Sequence, residues 1–345
     1  MAIQLSDVSL DLKDLRENGR LRAVGLGFQS WGTDFMLSRR YPVYIAGEPH
    51  HGKSTFTYEI LVQLSEKYGF KHFCYFGEAG NPADIFAELM EIYIGKPYSE
   101  VRNGGGKTKF CMNEADLNAA ELFIENHFHI EPIKEEMTLK GFYENLKKDE
   151  ELKNIKYDCA VIDPVYDLED FEAKEKVINR MLKKVNKECF DNNRIDFVVN
   201  HVSDTFKFFD KDKGTRKKMP ALADEWYGGK VWQRRAFLQL LVFRPLPNDN
   251  PDEGEEIVEE NETHIYIQKA KPNGIGKVGK YKLYFDWKKK RYYEKTDVGN
   301  EYPDCSLHFK ERVIPEQTKD IRNIKPSLKD AFGETDKNDN DNFPF

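Results

Sequence analysis

Short apolar runs and stretches of helical spacing alternate along most of the chain. "VYIA" (43–46), "FCYF" (73–76), "FHIE" (128–131), "CAVID" (159–163) and "FVVN" (197–200) are apolar enough to be strands covered on both faces. Between them, 55–68, 82–94, 115–126 and 172–189 carry apolar residues at helical intervals. Strand–helix alternation of this kind predicts an α/β fold with a mostly parallel sheet and helices on both faces. A β-rich portion follows, with "AFLQLLVF" (236–243), "HIYIQKA" (264–270) and a hairpin across 281–294. Residues 1–25 form an arm whose Leu10, Leu12 and Leu15 line one side of a helix too short to stand alone. The pattern predicts an α/β domain over 26–310 and an extension over 311–345.

Three segments interrupt the alternation. Residues 203–219 are polar and basic, 248–262 are strongly acidic, and 334–345, "ETDKNDNDNFPF", are acidic before closing on two phenylalanines around a proline. The last two have the composition of solvated, unpacked chain.

Composition narrows the classes. The 345 residues are 39% hydrophobic and 33% charged, with a net charge of −7. That excludes a uniformly basic nucleic-acid coat but not a local basic channel. No apolar run approaches the ~18–20 residues that span a bilayer. Cys74, Cys111, Cys159, Cys189 and Cys305 are scattered and form no C-x-x-C pair, as in a reducing compartment. A cytoplasmic protein is expected.

The chemistry enters at "IAGEPHHGKSTF" (45–56). Gly47, Gly52, Lys53 and Ser54 fit G-x-x-x-x-G-K-[ST], between a buried strand and an apolar-periodic helix. In that setting backbone N–H groups and a helix N-terminus hold phosphate charge. Gly47, Glu48, Pro49, His50, His51, Gly52, Lys53, Ser54 and Thr55 are therefore candidate nucleotide-binding residues, with the two histidines facing solvent. Lys53 would reach the β- and γ-phosphates of ATP, and Ser54 would ligate Mg²⁺. The loop alone leaves open a motor, a small-molecule kinase or a passive switch. Hydrolysis needs a carboxylate for the magnesium shell, which Asp163 supplies at the end of "CAVID". It also needs a base for the attacking water, and Glu78, following "FCYF", fits that role or that of a carboxylate at a helix N-terminus.

The order of "GEPHHGKST", "YFGE", "VIDP" and "VVNH", then "GGKVWQRRAFLQLLVFR" and "QKAKPNGIGKVG", resembles the RecA-type motor domain of DnaB-like replicative helicases, closest to the Twinkle branch. The similarity spans about residues 25–295. The resemblance implies a RecA-like P-loop NTPase core and a homo-oligomeric ring, usually of six, that encircles single-stranded DNA. Glu78 then matches the catalytic glutamate and Asp163 the second magnesium-side acid. His201 matches a γ-phosphate sensor and Gln233 a relay between nucleotide and DNA loop. Arg244 matches an arginine that reaches into the neighbouring site, and Lys269 with Lys271 a basic pair of the same role. The family usually has Lys-x-Arg there; Lys271 lacks the planar fork of arginine, so either Lys271 does a weaker version of the job or Arg244 is the main cation lent to the neighbour. The resemblance also places 207–218 at the central channel. This segment has six basic and two acidic residues, so Lys211, Lys213, Arg216, Lys217 and Lys218 are candidates for phosphate contact. The aromatic-ended tail suits a replisome partner such as a polymerase or primase. A standalone motor with such a tail suits a bacterial, plasmid or phage replication module. Two other readings remain: a RecA- or RadA-like remodelling ATPase, and a nucleotide-sensing loader or adaptor with weak turnover.

Overall fold

A computed structural model describes residues 4–18, 23–32, 34–78, 81–101, 106–133, 136–202, 206–210, 215–247 and 257–308. The tail (311–345), Lys211, Lys213 and most of the acidic stretch lie outside the described residues. Residues Met1–Arg22 group apart from the main unit, Ala23–Thr318. Within the first lies helix α1 (Ser9–Asn18), on which Leu10 and Leu12 are exposed.

The main unit opens with a small ribbon of β1 (Ala23–Gly25) and β2 (Met36–Ser38). The chain then runs β3 (Val43–Gly47), α2 (Lys53–Tyr68), β4 (His72–Phe76), α3 (Pro82–Ile94), α4 (Glu114–His127), β5 (Phe128–Glu131), α5 (Leu139–Lys153), β6 (Cys159–Asp163), α6 (Glu175–Asp191) and β7 (Ile195–His201). After these come β8 (Phe206–Asp210), β9 (Thr215–Lys218), α7 (Val231–Arg235), β10 (Leu238–Phe243), β11 (Glu262–Ala270), β12 (Gly279–Asp286), β13 (Arg291–Thr296) and β14 (Gly299–Glu301). Ten strands form one sheet in the order β14-β13-β12-β11-β10-β3-β7-β6-β4-β5. From β10 to β5 every pairing is parallel, and from β10 to β14 every pairing is antiparallel.

Strand periodicity divides the core between the two faces. Val43, Ile45, Cys74, Phe76, Val161, Phe197 and Leu240 join one cluster with α2 and α3. Tyr44, Ala46, Phe73, Tyr75, Ile162 and Val198 join the other, against α5 and α6. On α6 the buried Ile178, Met181, Leu182 and Val185 follow the helical repeat.

Two elements depart from the sequence-based reading. Helix α5 occupies a stretch to which no element was assigned. Its signals are Thr138, whose side chain accepts the Gly141 N–H as an N-cap, and the buried Leu139, Phe142, Tyr143 and Leu146. The basic interruption at 203–219 contains a two-stranded hairpin, β8–β9. Charge concealed it, because the pairing partner rather than apolar alternation defines these strands. The sequence-based reading also missed a buried ionic knot. Arg291 donates to Glu59 at 2.8 Å and to Glu66 at 2.9 Å, fastening the helix behind the phosphate loop to the antiparallel wing.

Candidate nucleotide-hydrolysing site

The site forms where β3, β4, β6 and β7 release the chain at their C-terminal ends, the usual place for a ligand on a parallel sheet. The phosphate loop joins β3 to α2. Gly52 is the N-cap of α2 with φ 82°, a left-handed conformation that favours glycine. Gly47 is constrained by space instead, since a Cβ there would lie 2.4 Å from the Val242 carbonyl oxygen.

Lys53 is buried, and its ammonium donates to the Glu48 carbonyl at 3.0 Å. Burial pushes its pKa down, while the charges of Asp163, Glu78 and Glu48 oppose that shift. His51 departs from the solvent-facing expectation: it is buried, its Nδ1 accepts the Arg244 N–H at 3.2 Å, and its Nε2 lies 3.2 Å from Glu48. Of this pair only His50 is exposed, with Pro49 beside it. Ser54 and Thr55 are half-buried on the first turn of α2.

Asp163 ends β6, and its Oδ2 is buried without a hydrogen-bond partner. Burial raises its pKa from the ordinary 3.8 to about 6; the Ser54 hydroxyl and Lys53 pull it down, and Glu78 pushes it up. A buried, partnerless carboxylate oxygen beside a serine hydroxyl fits Mg²⁺, which takes hard oxygen ligands and shares its shell with substrate phosphates. Ser54 and Asp163 are the residues that would hold the ion, and its charge would draw the phosphates into the loop.

This arrangement has a measurable pH signature. The folded chain holds the Asp163 proton more tightly than the unfolded chain does. The group therefore lowers stability as pH rises from about 4 to about 6, and the cost persists above that window. Asp163→Asn should accordingly raise Tm at pH 8 in metal-free buffer, by an amount corresponding to about 2–3 kcal/mol. The gain should vanish near pH 4. Magnesium-dependent nucleotide binding by the unmodified chain should weaken below about pH 6, because the metal competes with a proton. Equal Tm values at pH 8 would contradict this assignment.

Glu78 lies just beyond β4 and is exposed. The Tyr166 hydroxyl donates to its Oε1, and its Oε2 lies 4.0 Å from His201 Nε2. His201 ends β7, and its pKa is pushed down to about 4 by burial and then by Lys53. At neutral pH it is an uncharged imidazole, so it offers a hydrogen bond rather than an ion pair. Sequence reasoning passed over Tyr166; its place two residues beyond "VIDP" gave no chemical signal.

The remaining candidates separate to opposite ends of the sheet. Arg244 follows β10 at the phosphate-loop end. Its guanidinium lies 5.7 Å from the Trp287 ring, and one of its nitrogens would be 3.5 Å from a Cβ at Gly52. Lys269 and Lys271 lie at the other end, where Gln239 pairs with Lys269 and Leu238 pairs with both Ala270 and Val43. The four residue steps of β3 put that edge about 13 Å from the start of the loop. Gln233 is exposed on α7, at the same far end, and its carbonyl accepts the Lys269 ammonium. Burial, then the charge of Lys271, pushes the Lys269 pKa down. Arg216, Lys217 and Lys218 stand on β9.

No family model matches the sequence. No curated protein matches it either. Solved structures do. A separately solved ATPase domain superposes with a TM-score of 0.62 at 15% identity, covering 85% of this chain and 99% of that one. A DnaB-like replicative helicase, solved in a study of its interactions with primase, superposes with a TM-score of 0.60 at 16% identity, covering 85% and 67%. At such identities the likeness is one of fold. The chain thus carries the RecA-like P-loop fold found in the ATPase domains of DnaB-like helicases.

Proposed function

We propose that the protein is an ATP-dependent DNA helicase of the DnaB-like type, nearest the Twinkle branch. Its rings, of six subunits, translocate on single-stranded DNA. The observation that carries this reading is the convergence of Lys53, Ser54, the partnerless oxygen of Asp163 and Glu78 at adjacent strand ends of a fold shared with a replicative helicase. Lys53 and the loop amides would hold the phosphates. Glu78 would take a proton from the attacking water, and neutral His201 would report on the γ-phosphoryl group.

Lys269 and Lys271 are too far from their own loop to serve it, so we assign them to the site of the adjoining subunit. There a lent cation would offset charge developing on the γ-phosphoryl oxygens. Arg244, which the resemblance matches to a cation reaching into the neighbouring site, we assign instead to its own site, because its guanidinium lies beside Gly52 of its own loop. The residues on β8–β9 are assigned to DNA phosphates. The tail is assigned to a replisome partner.

Strand displacement from a forked duplex with ATP tests the function. A filament-forming ATPase coats the strand without displacing it, and an adaptor does neither. Subunit mixing tests the shared site. A Lys53→Ala subunit and a Lys269→Ala/Lys271→Ala subunit should each be inactive alone and recover part of the hydrolysis together. Absence of recovery would refute a pocket completed by the neighbour. Arg244→Ala should show no such rescue.

A further inference from the structure

Beside the hydrolytic residues lies a cavity of about 610 Å³, lined by Tyr166, Phe171, Glu172, Ala173, His201 and Tyr227. Two of its walls are the residues that face the two oxygens of Glu78. Tyr166 donates to Oε1, and His201 lies 4.0 Å from Oε2. The two rings also meet edge to face, 4.7 Å apart. Both groups that face the carboxylate therefore border one cavity.

We infer that this cavity takes an unstacked base of the single strand, and that Tyr166 converts its occupancy into release of Glu78. The inference rests on the helicase reading above and adds a base site and a positioning residue to it. The lining chemistry suits a base. Tyr166, Phe171 and Tyr227 offer aromatic faces, which stack on any nucleobase. Glu172, whose Oε2 lies 2.5 Å from the Lys174 ammonium, offers its other oxygen as an acceptor for an exocyclic amine. Among the described residues that line it there is no lysine or arginine to hold a phosphate, and the nearby Lys174 ammonium is engaged by Glu172.

Its place in the fold suits a strand as well. The Tyr227 N–H donates to the His201 carbonyl at 2.9 Å, and Val202 bridges to Trp226. The cavity thus sits at the root of the segment that carries the β8–β9 hairpin, whose sequence from 207 to 218 has a local charge of +4. Phosphates held by that segment would deliver bases to the aromatic walls. Without a base, the Tyr166 hydroxyl occupies one oxygen of Glu78. With one, Tyr166 turns to stack, and the carboxylate is free to meet the attacking water.

The test measures hydrolysis by the full chain at saturating ATP and Mg²⁺ under four conditions: no DNA, a base-bearing homopolymer, an abasic strand of equal length, and deoxynucleoside monophosphate. The unmodified protein should be stimulated by the base-bearing strand far more than by the abasic strand or the monophosphate. Tyr166→Phe retains the aromatic wall and removes the tether. It should raise the DNA-free rate about tenfold, the weight of one charge-assisted hydrogen bond in an equilibrium, and reduce stimulation in proportion. A strand carrying 2-aminopurine should be quenched on binding, and Phe171→Ala or Tyr227→Ala should abolish that quench.

An unchanged DNA-free rate for Tyr166→Phe overturns the tether. Full stimulation by the abasic strand, or by monophosphate alone, overturns the base site. So does a quench that survives both alanine variants, or a quench absent from the unmodified protein. Failure of the helicase reading looks different, as an unmodified protein that neither hydrolyses ATP nor displaces a strand, and the quench then still decides whether the cavity binds a base.

Discussion

Lys53→Ala should bring ATP hydrolysis to background, a loss of at least ~10³-fold in a site that works by charge stabilisation. The ammonium is buried and rests on the Glu48 carbonyl of its own loop. It is therefore placed to move to phosphate oxygens without ordering a flexible side chain first. Its charge also helps keep Asp163 ionised, so its removal should push the Asp163 pKa further up and weaken magnesium binding. Removing the buried cation also relieves its desolvation, so the variant should melt no lower than the unmodified chain by more than a few degrees. Phosphate release and a thermal scan on the same preparation separate lost chemistry from lost folding. Activity within tenfold of normal would mean that this loop does not hold the reacting phosphates.

Glu78→Gln should lower turnover by about 10²–10⁴-fold, the usual contribution of a positioned general base. Nucleotide binding should survive. The amide oxygen can still accept from Tyr166, and no buried partner is orphaned, because the side chain is exposed. The measurement is steady-state hydrolysis beside the affinity for a fluorescent nucleotide analogue. If the variant keeps more than a tenth of normal turnover, another group activates the water. The two substitutions should differ in kind: the first removes productive phosphate binding, the second only the step that follows.

The sequence by itself determined the parts of this protein that are local. A glycine-rich turn between a buried strand and a helix, acids placed at or just after the ends of apolar runs, and five short apolar runs that form parallel strands all follow from neighbours within a few residues. Those elements stand where the pattern put them. Glu78, Asp163 and His201 reach the loop because each ends or follows a strand of one parallel sheet, whose C-terminal ends meet at a common edge.

Only the tertiary structure decided matters that depend on distant pairing. The β3–β10–β11 register puts Arg244 beside its own loop and Lys269 and Lys271 at the opposite edge, although all three are cations near strand ends in sequence. Burial of His51 under Phe243, the raised pKa of Asp163 and the hold of Tyr166 on Glu78 likewise arise from packing between segments far apart in the chain. Burial and strand register are sums over such contacts, whereas a motif records only what adjoins it along the backbone.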